Sequence, residues 1–319
     1  MVTMKLAFVF PGQGSQSVGM MSGYAHHPAV RETFAEASDA LGEDLWALVA
    51  ADSDGALDRT VNTQPVMLAA GVAVWRAWLA AGGPRPDVVA GHSLGEYTAL
   101  VAAGALAFRD AVPLVRFRAQ AMQDAVPAGV GAMAAVMGID EAGLAAACAD
   151  AAQGQVVEAV NFNAPGQIVI AGHAEAVERA IAAAKARGAK RGVLLPVSAP
   201  FHSSLMKPAA LRLAARLEAV SFAAPAIPVL HNADVAEHRD ASAIRAALAR
   251  QASCPVRWVE TVQAFAARGV TRAFECGPGR VLTGLGKRIA PAIEGQALDD
   301  GDAIAAALAA LAGDTTGER

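Results

Sequence analysis

Cysteine is scarce in this chain. Only three occur, Cys148, Cys254 and Cys276, and no two form a CxxC pair. That fits a reducing cytosol better than a disulfide scaffold, and each cysteine reads as core filling. Charge of one sign is also lacking. The 26 Lys and Arg against 30 Asp and Glu leave a net charge of −4, too mild to point to nucleic acid or an anionic membrane as a partner. No apolar run is uninterrupted over a bilayer's width. The most apolar window, 88–108, contains His92 and Glu96 and is broken by Gly91, Gly95 and Gly104, which a membrane helix would not carry freely. The N-terminus enters an apolar strand at once, without a cleavage-site pattern. The expectation is a soluble cytoplasmic protein.

What is present is core-forming material. The 319 residues are 54% hydrophobic and 18% charged. Such a chain can bury a large core and is unsuited to long disorder. Its length fits one large α/β domain with an insertion. An apolar run at 6–10 stopped by Pro11-Gly12 predicts a buried strand, and 88–91 predicts a second. Helical patterns occupy 29–41, 65–80 and 94–106, and Asp110 reads as the N-cap of a helix running to 124. Strands alternating with helices imply a mostly parallel sheet covered on both faces.

The pattern changes after Pro127. Strand 132–137, helix 141–152, strands 156–162 and 168–171, helix 175–187 and strand 192–197 follow in βαββαβ order, a ferredoxin-like unit. Beyond Pro200 the larger pattern resumes. It gives helices near 205–217, 243–250 and 259–267, strands at 227–230 and 272–275, and a last long helix after Gly277-Pro278-Gly279. The tail from Gly313 is expected to fray. The predicted organisation is a large subdomain from 1–127 and 199–319, with a small subdomain, 128–198, inserted.

Gly91-His92-Ser93-Leu94-Gly95 fits the G-x-S-x-G nucleophile elbow in its required strand–turn–helix context. The glycines let the chain approach itself closely, and Ser93 stands at a helix N-terminus where backbone N–H groups can hold an oxyanion, Leu94 first among them. A Gly-rich turn with a capping Ser is the bland reading. A serine nucleophile needs a base, and seven histidines are available. His92 should point away from Ser93 into packing or a hydrogen bond. His26, His27 and His238 are expected at the solvent, and His173 lies in a turn of the insertion. His202 and His231 both follow apolar strands. His202 sits where the chain leaves the insertion, a seam of the kind where pockets form; His231 is the weaker candidate. Gln13, between two glycines after the first strand, is an oxyanion-hole candidate or a solvated turn residue. On the following helix, Leu114, Arg118, Ala121 and Met122 share one face. Arg118 therefore points inward more readily than Arg116. A buried guanidinium needs an acceptor, which a structural carboxylate or a substrate can supply equally well.

Together, GQGSQ after the first strand, GHSLGEY, the arginine in a helix ending in Met-Gln, Phe201-His202 and the late GPG resemble the malonyl-CoA:acyl carrier protein transacylase family. These are the acyltransferases of bacterial fatty acid synthesis, and the same fold serves in polyketide synthases. The likeness runs from Leu6 to about Ile289. It implies an α/β-hydrolase-like large subdomain with a ferredoxin-like insertion, Ser93 as nucleophile and His202 as base. It also implies an oxyanion hole from Gln13 and the Leu94 N–H, and Arg118 as clamp for the malonyl carboxylate. The histidine would be oriented by the backbone carbonyl of Gln251, so the side chain at 251 is expected to matter little. Phe201, His92, Met122 and Gln13 would join Arg118 around the substrate. Arg257 stands where relatives often carry Gln. Leu94 and Phe201 resemble the malonyl-selecting members, Phe201 filling the space a 2-methyl branch needs. The implied partners are malonyl-CoA, as substrate, and acyl carrier protein, with no cofactor or metal and a monomeric enzyme. A thioesterase shares the elbow but has no use for Arg118. Acyltransferases of malonate decarboxylase or of polyketide assembly share the chemistry with another carrier, and a non-catalytic scaffold is disfavoured by the filled serine, histidine and arginine positions.

Overall fold

The computed structural model describes residues 4–316 except 53 and 198. Nine strands run through them: β1 (Lys5–Phe10), β2 (Val88–Gly91), β3 (Gly131–Met137), β4 (Val157–Ala164), β5 (Gln167–His173), β6 (Arg191–Leu194), β7 (Val229–Leu230), β8 (Val270–Cys276) and β9 (Glu294–Leu298). They form two sheets in a chain that divides into two compact units.

The first unit comprises Met1–Arg116, Ala223–Leu230 and Phe265–Arg319. Its sheet is parallel throughout, in the order β7-β2-β1-β8-β9. A parallel sheet covered on both faces needs near-continuous apolar strands. β1 is buried at every position after Lys5, and β2 at all four. Phe8 of β1 packs edge-on against Trp75 and Trp78, with ring centroids 5.3 and 5.2 Å away, and lies 5.5 Å from Phe274 of β8. The two tryptophans belong to the helix Thr60–Ala80, buried on nearly all sides. From β1 the chain adds strands on one side, β2 then β7, and later on the other, β8 then β9. The order reverses at β1, and in such sheets ligands bind at the carboxyl ends of the strands beside the reversal. The loops after β1, β2 and β8, which carry Gln13, Ser93 and Gly277-Pro278-Gly279, leave from that edge.

The second unit comprises Phe117–Phe222 and His231–Ala264. Its antiparallel sheet has the order β4-β5-β3-β6. With the helices Glu141–Ala152 and Ala174–Ala186 it makes the expected βαββαβ unit. Its core is built from Val136, Leu144, Ile168, Ile170 and Val177. Asp140 caps the first helix by accepting from Gly143 N–H at 2.7 Å. The unit reaches beyond the sequence-based limits of 128–198, for physical reasons. Val256 runs beside β4, donating to Val160 O at 2.8 Å and accepting from Phe162 N at 3.0 Å. Glu158 of β4 accepts from both the backbone N and the hydroxyl of Ser204, at 2.7 Å each.

Several boundaries differ from expectation. The helix expected at Pro65 starts at Thr60, so the proline lies inside it. Asp110 lies in the first turn of the helix Phe108–Gln123 rather than capping it. The helix after Ser93 stops at Ala102, because Gly104 turns the chain with φ of +72°. The long final helix is instead a short one, Val281–Ile289, followed by β9 and the helix Gly301–Thr316. The tail expected to fray from Gly313 is therefore helical to Thr316, and 317–319 lie outside the described residues. Cys148 and Cys276 are buried, as core filling requires, and Cys254 is half-buried. Burial pushes the Cys148 thiol up to about 11, helped by the nearby Glu158 charge. Among the described residues no helix is long and apolar enough to cross a membrane.

Candidate active site

The elbow lies in the first unit. Ser93 has φ of +51°, in the left-handed region that a residue with a Cβ seldom occupies. What holds it there is hydrogen bonding and the absence of side chains. His92 N donates to Phe10 O at 2.9 Å, tying the elbow to the end of β1, and Gly95 N donates to His92 O at 2.9 Å. A Cβ on Gly91 would fall 1.8 Å from the carbonyl carbon of Gly95, and one on Gly95 would fall 2.0 Å from Phe10 O. The strain at Ser93 is thus imposed by two contacts that only glycine permits. Gly95→Ala is expected to cost about 3 kcal/mol or more by overpacking backbone against backbone. Urea unfolding would measure it, and an unchanged midpoint would show that the turn relaxes freely.

The loop after β1 lies against the same turn. A Cβ on Gly12 would meet His92 O at 2.5 Å and the Leu94 backbone N at 3.6 Å. Gln13 is half-buried, and its side-chain Oε1 accepts from Thr60 Oγ1 at 2.7 Å. Thr60 in turn accepts from Gln64 Nε2 at 3.2 Å. An amide whose oxygen is engaged presents its NH2 end as the remaining donor. Sequence reasoning did not find Thr60 or Gln64; their i, i+4 spacing places them on one helix face, but nothing local marks it as polar by design. Leu94 is buried, and His92 is half-buried.

At the end of β8, Glu275 is fully buried and accepts from Leu282 N at 3.0 Å and Thr283 N at 2.7 Å. It thereby caps the helix Val281–Ile289 through a carboxylate that burial pushes above the usual range.

The second unit holds the histidine and the arginine. His202 is 3% exposed and has φ of +65°. Its loop is fixed on both sides. Ser203 Oγ donates to Pro200 O at 2.7 Å, and Ser204 is gripped by Glu158 as described. His202 Nδ1 lies 2.8 Å from the carbonyl oxygen of Gln251. A carbonyl only accepts, so Nδ1 carries a proton, and in the neutral ring Nε2 then holds the lone pair of a base. Arg118 is 1% exposed, on the inward face that the helical spacing indicated. Its Nη2 donates to Gln251 Oε1 at 2.8 Å. The side chain at 251, expected to matter little, thus makes a buried contact of its own: Gln251 meets His202 through its backbone and Arg118 through its amide. Met122 and Phe201 are buried.

The remaining candidates separate cleanly. Arg116 pairs with Glu43 at 2.5 Å and is partly exposed. His26 is exposed, and His27 packs against Tyr24. His173 Nδ1 accepts from Val156 N at 2.9 Å. His238, expected at the solvent, is instead partly buried and pairs with Asp234 at 3.0 Å. His231 is fully buried with its ring 4.9 Å from that of His238. Arg257 pairs with Glu260 three residues on. Among the described residues no group of three or more His, Cys, Asp or Glu is arranged to hold a metal ion.

Comparison with known proteins agrees with this arrangement of elements. The family model for the acyl transferase domain matches residues 7–288. The malonyl CoA-acyl carrier protein transacylase of Escherichia coli K12 is 56% identical over 305 residues, 95% of this chain and 99% of that protein. The crystal structure of the acyl-carrier-protein S-malonyltransferase of Burkholderia pseudomallei superposes with a TM-score of 0.94 at 59% identity, covering 96% of this chain and 99% of that one. A malonyl-transacylase solved in complex with its type II PKS acyl-carrier protein gives 0.94 at 53% identity, covering 95% and 99%. The chain belongs to the malonyl CoA-acyl carrier protein transacylase family of acyl transferase domains.

Proposed function

We propose that this acyltransferase moves the malonyl group from malonyl-CoA to the phosphopantetheine thiol of an acyl carrier protein, through a malonyl ester on Ser93, and so supplies fatty acid synthesis. His202 Nε2 takes the Ser93 proton as Oγ attacks the thioester carbonyl. The N–H of Leu94 and Gln13 hold the oxyanion. The carbon–sulfur bond breaks, and coenzyme A leaves as the thiol with the proton from His202. The carrier thiol then gives its proton to His202 and attacks the ester, and Ser93 recovers its proton as it is released. Arg118 takes the malonyl carboxylate; Met122 and His92 complete the substrate's surroundings. Phe201 disfavours a 2-methyl branch, a selection limited to roughly 10–200-fold for one methyl. Every step is a proton or acyl transfer, so no cofactor or metal enters. The enzyme acts as a cytoplasmic monomer.

The observation that carries this reading is Arg118, a guanidinium buried at 1% exposure that donates to the Gln251 amide, in a chain that also carries the Ser93 elbow. A plain thioesterase has no role for it. Coenzyme A release from malonyl-CoA separates the two. Release sustained only when carrier protein is present supports transfer, and equal release in water alone would mean hydrolysis.

Carrier docking needs a basic patch, because carriers of this kind are acidic while this chain has a net charge of −4. The sequence holds two basic clusters, Lys185, Arg187, Lys190 and Arg191 in one, Arg280, Lys287 and Arg288 in the other; Arg187 is paired with Asp150, and Arg280 with Asp299 at 2.7 Å. Lys190, Arg191, Lys287 and Arg288 are exposed. Reversing Lys190 and Arg191, or Lys287 and Arg288, to glutamate is expected to raise the KM for carrier several-fold and flatten its salt dependence. Acylation by malonyl-CoA should hardly change. Unaltered carrier kinetics in both double variants across a salt series would show that neither patch is the dock.

A further inference from the structure

We infer that Gln251 is a positioning residue for the malonyl clamp, and that its being an amide rather than a carboxylate leaves Arg118 able to take a substrate carboxylate. The inference rests on the proposed roles of Arg118 and His202. Its ground is the double grip at the end of the helix Ala241–Gln251. Gln251 is fully buried, its backbone oxygen 2.8 Å from His202 Nδ1 and its Oε1 2.8 Å from Arg118 Nη2. Both partners are themselves buried, at 3% and 1% exposure.

A buried arginine can be held by a carboxylate or by a neutral oxygen. A glutamate at 251 would offer two charged acceptors matched to the guanidinium fork, the arrangement a bound malonate also offers. Resident and substrate carboxylates would then compete for one cation. The amide oxygen accepts from the guanidinium and brings no net charge, so it orients Arg118 without itself adding a carboxylate. Placing this amide on the residue whose carbonyl orients His202 sets clamp and base from one rigid helix end. The side chain thus bears on which acyl group is taken, and the backbone bears on the reaction of all of them.

Two variants of similar size separate the two roles, since both keep the main-chain carbonyl. Gln251→Glu adds the competing carboxylate, and Gln251→Met removes the acceptor. The reading is kcat and KM for malonyl-CoA and acetyl-CoA, with thermal melting of each protein and Arg118→Ala measured alongside. Gln251→Glu is expected to lower the malonyl-to-acetyl ratio of kcat/KM about a hundredfold, mainly through the malonyl-CoA KM. Gln251→Met is expected to lower it about tenfold, the scale of one hydrogen bond to a charged group. Adding Gln251→Glu to Arg118→Ala should lower the ratio little further, because both act on one interaction. If Gln251→Glu does not fold, the ratio for Gln251→Met decides. Equal losses for both substrates in the Gln251 variants, with the ratio intact while Arg118→Ala lowers it, would overturn the inference and leave the clamp standing. An unchanged ratio in Arg118→Ala would overturn both.

Discussion

Ser93→Ala is expected to lower kcat for malonyl transfer by about four orders of magnitude or more, and His202→Ala by a comparable amount. The two act as one unit: the serine is a poor nucleophile without a base, and the base has nothing to activate without the serine. The double variant should therefore be little worse than either single one. Ser93 has φ of +51°, and alanine tolerates that no better than serine, so the substitution leaves the elbow's strain as it is. His202 is set by its loop and by the Gln251 carbonyl. Removing it should lower turnover with little change in malonyl-CoA binding. Steady-state kinetics with both substrates checks this. Losses that multiply in the double variant would mean that the two residues act independently.

Arg118→Ala has the second largest expected effect, and it is selective. Removing one partner of a buried charged pair costs about 2–5 kcal/mol, so malonyl transfer should fall about a hundredfold or more. Acetyl-CoA has no free carboxylate, and its transfer should fall far less or rise. Because Arg118 is 1% exposed, acetyl transfer also reports whether the variant folds. A parallel loss for both substrates would make the arginine structural. Arg116, paired with Glu43, provides the control: Arg116→Ala should leave the malonyl-to-acetyl preference where it is.

Local patterns carried much of this in the sequence. The apolar run of β1, the helix Glu141–Ala152 and the βαββαβ order all follow from periodicity within a short window. The elbow was legible because the G-x-S-x-G pattern is local and Gly91 is forced by a contact four residues on, although Gly95 is forced by Phe10, far back in the chain. Arg118 was legible because a helix shows which residues share a face. What stayed hidden depends on distant parts of the chain. Gln251 meets Arg118 across 133 positions, and no spacing rule reaches that far. The same holds for Glu158 gripping Ser204 over 46 positions, and Thr60 bonding to Gln13 over 47. β9 reads Glu-Gly-Gln-Ala-Leu and lacks both alternation and β-branched residues. It is a strand because the edge of β8 was open to pair with it. The terminal helix was missed because an alanine-rich end shows little amphipathic contrast.

The central claim is that malonyl-CoA alone esterifies one serine. Incubating the protein with malonyl-CoA, without carrier, and weighing it intact before mapping peptides tests this directly. The account predicts a single malonyl adduct on the peptide holding Ser93, lost when carrier protein is added and absent from Ser93→Ala. An adduct on Ser15 or any other serine, or one that persists in Ser93→Ala, would contradict it.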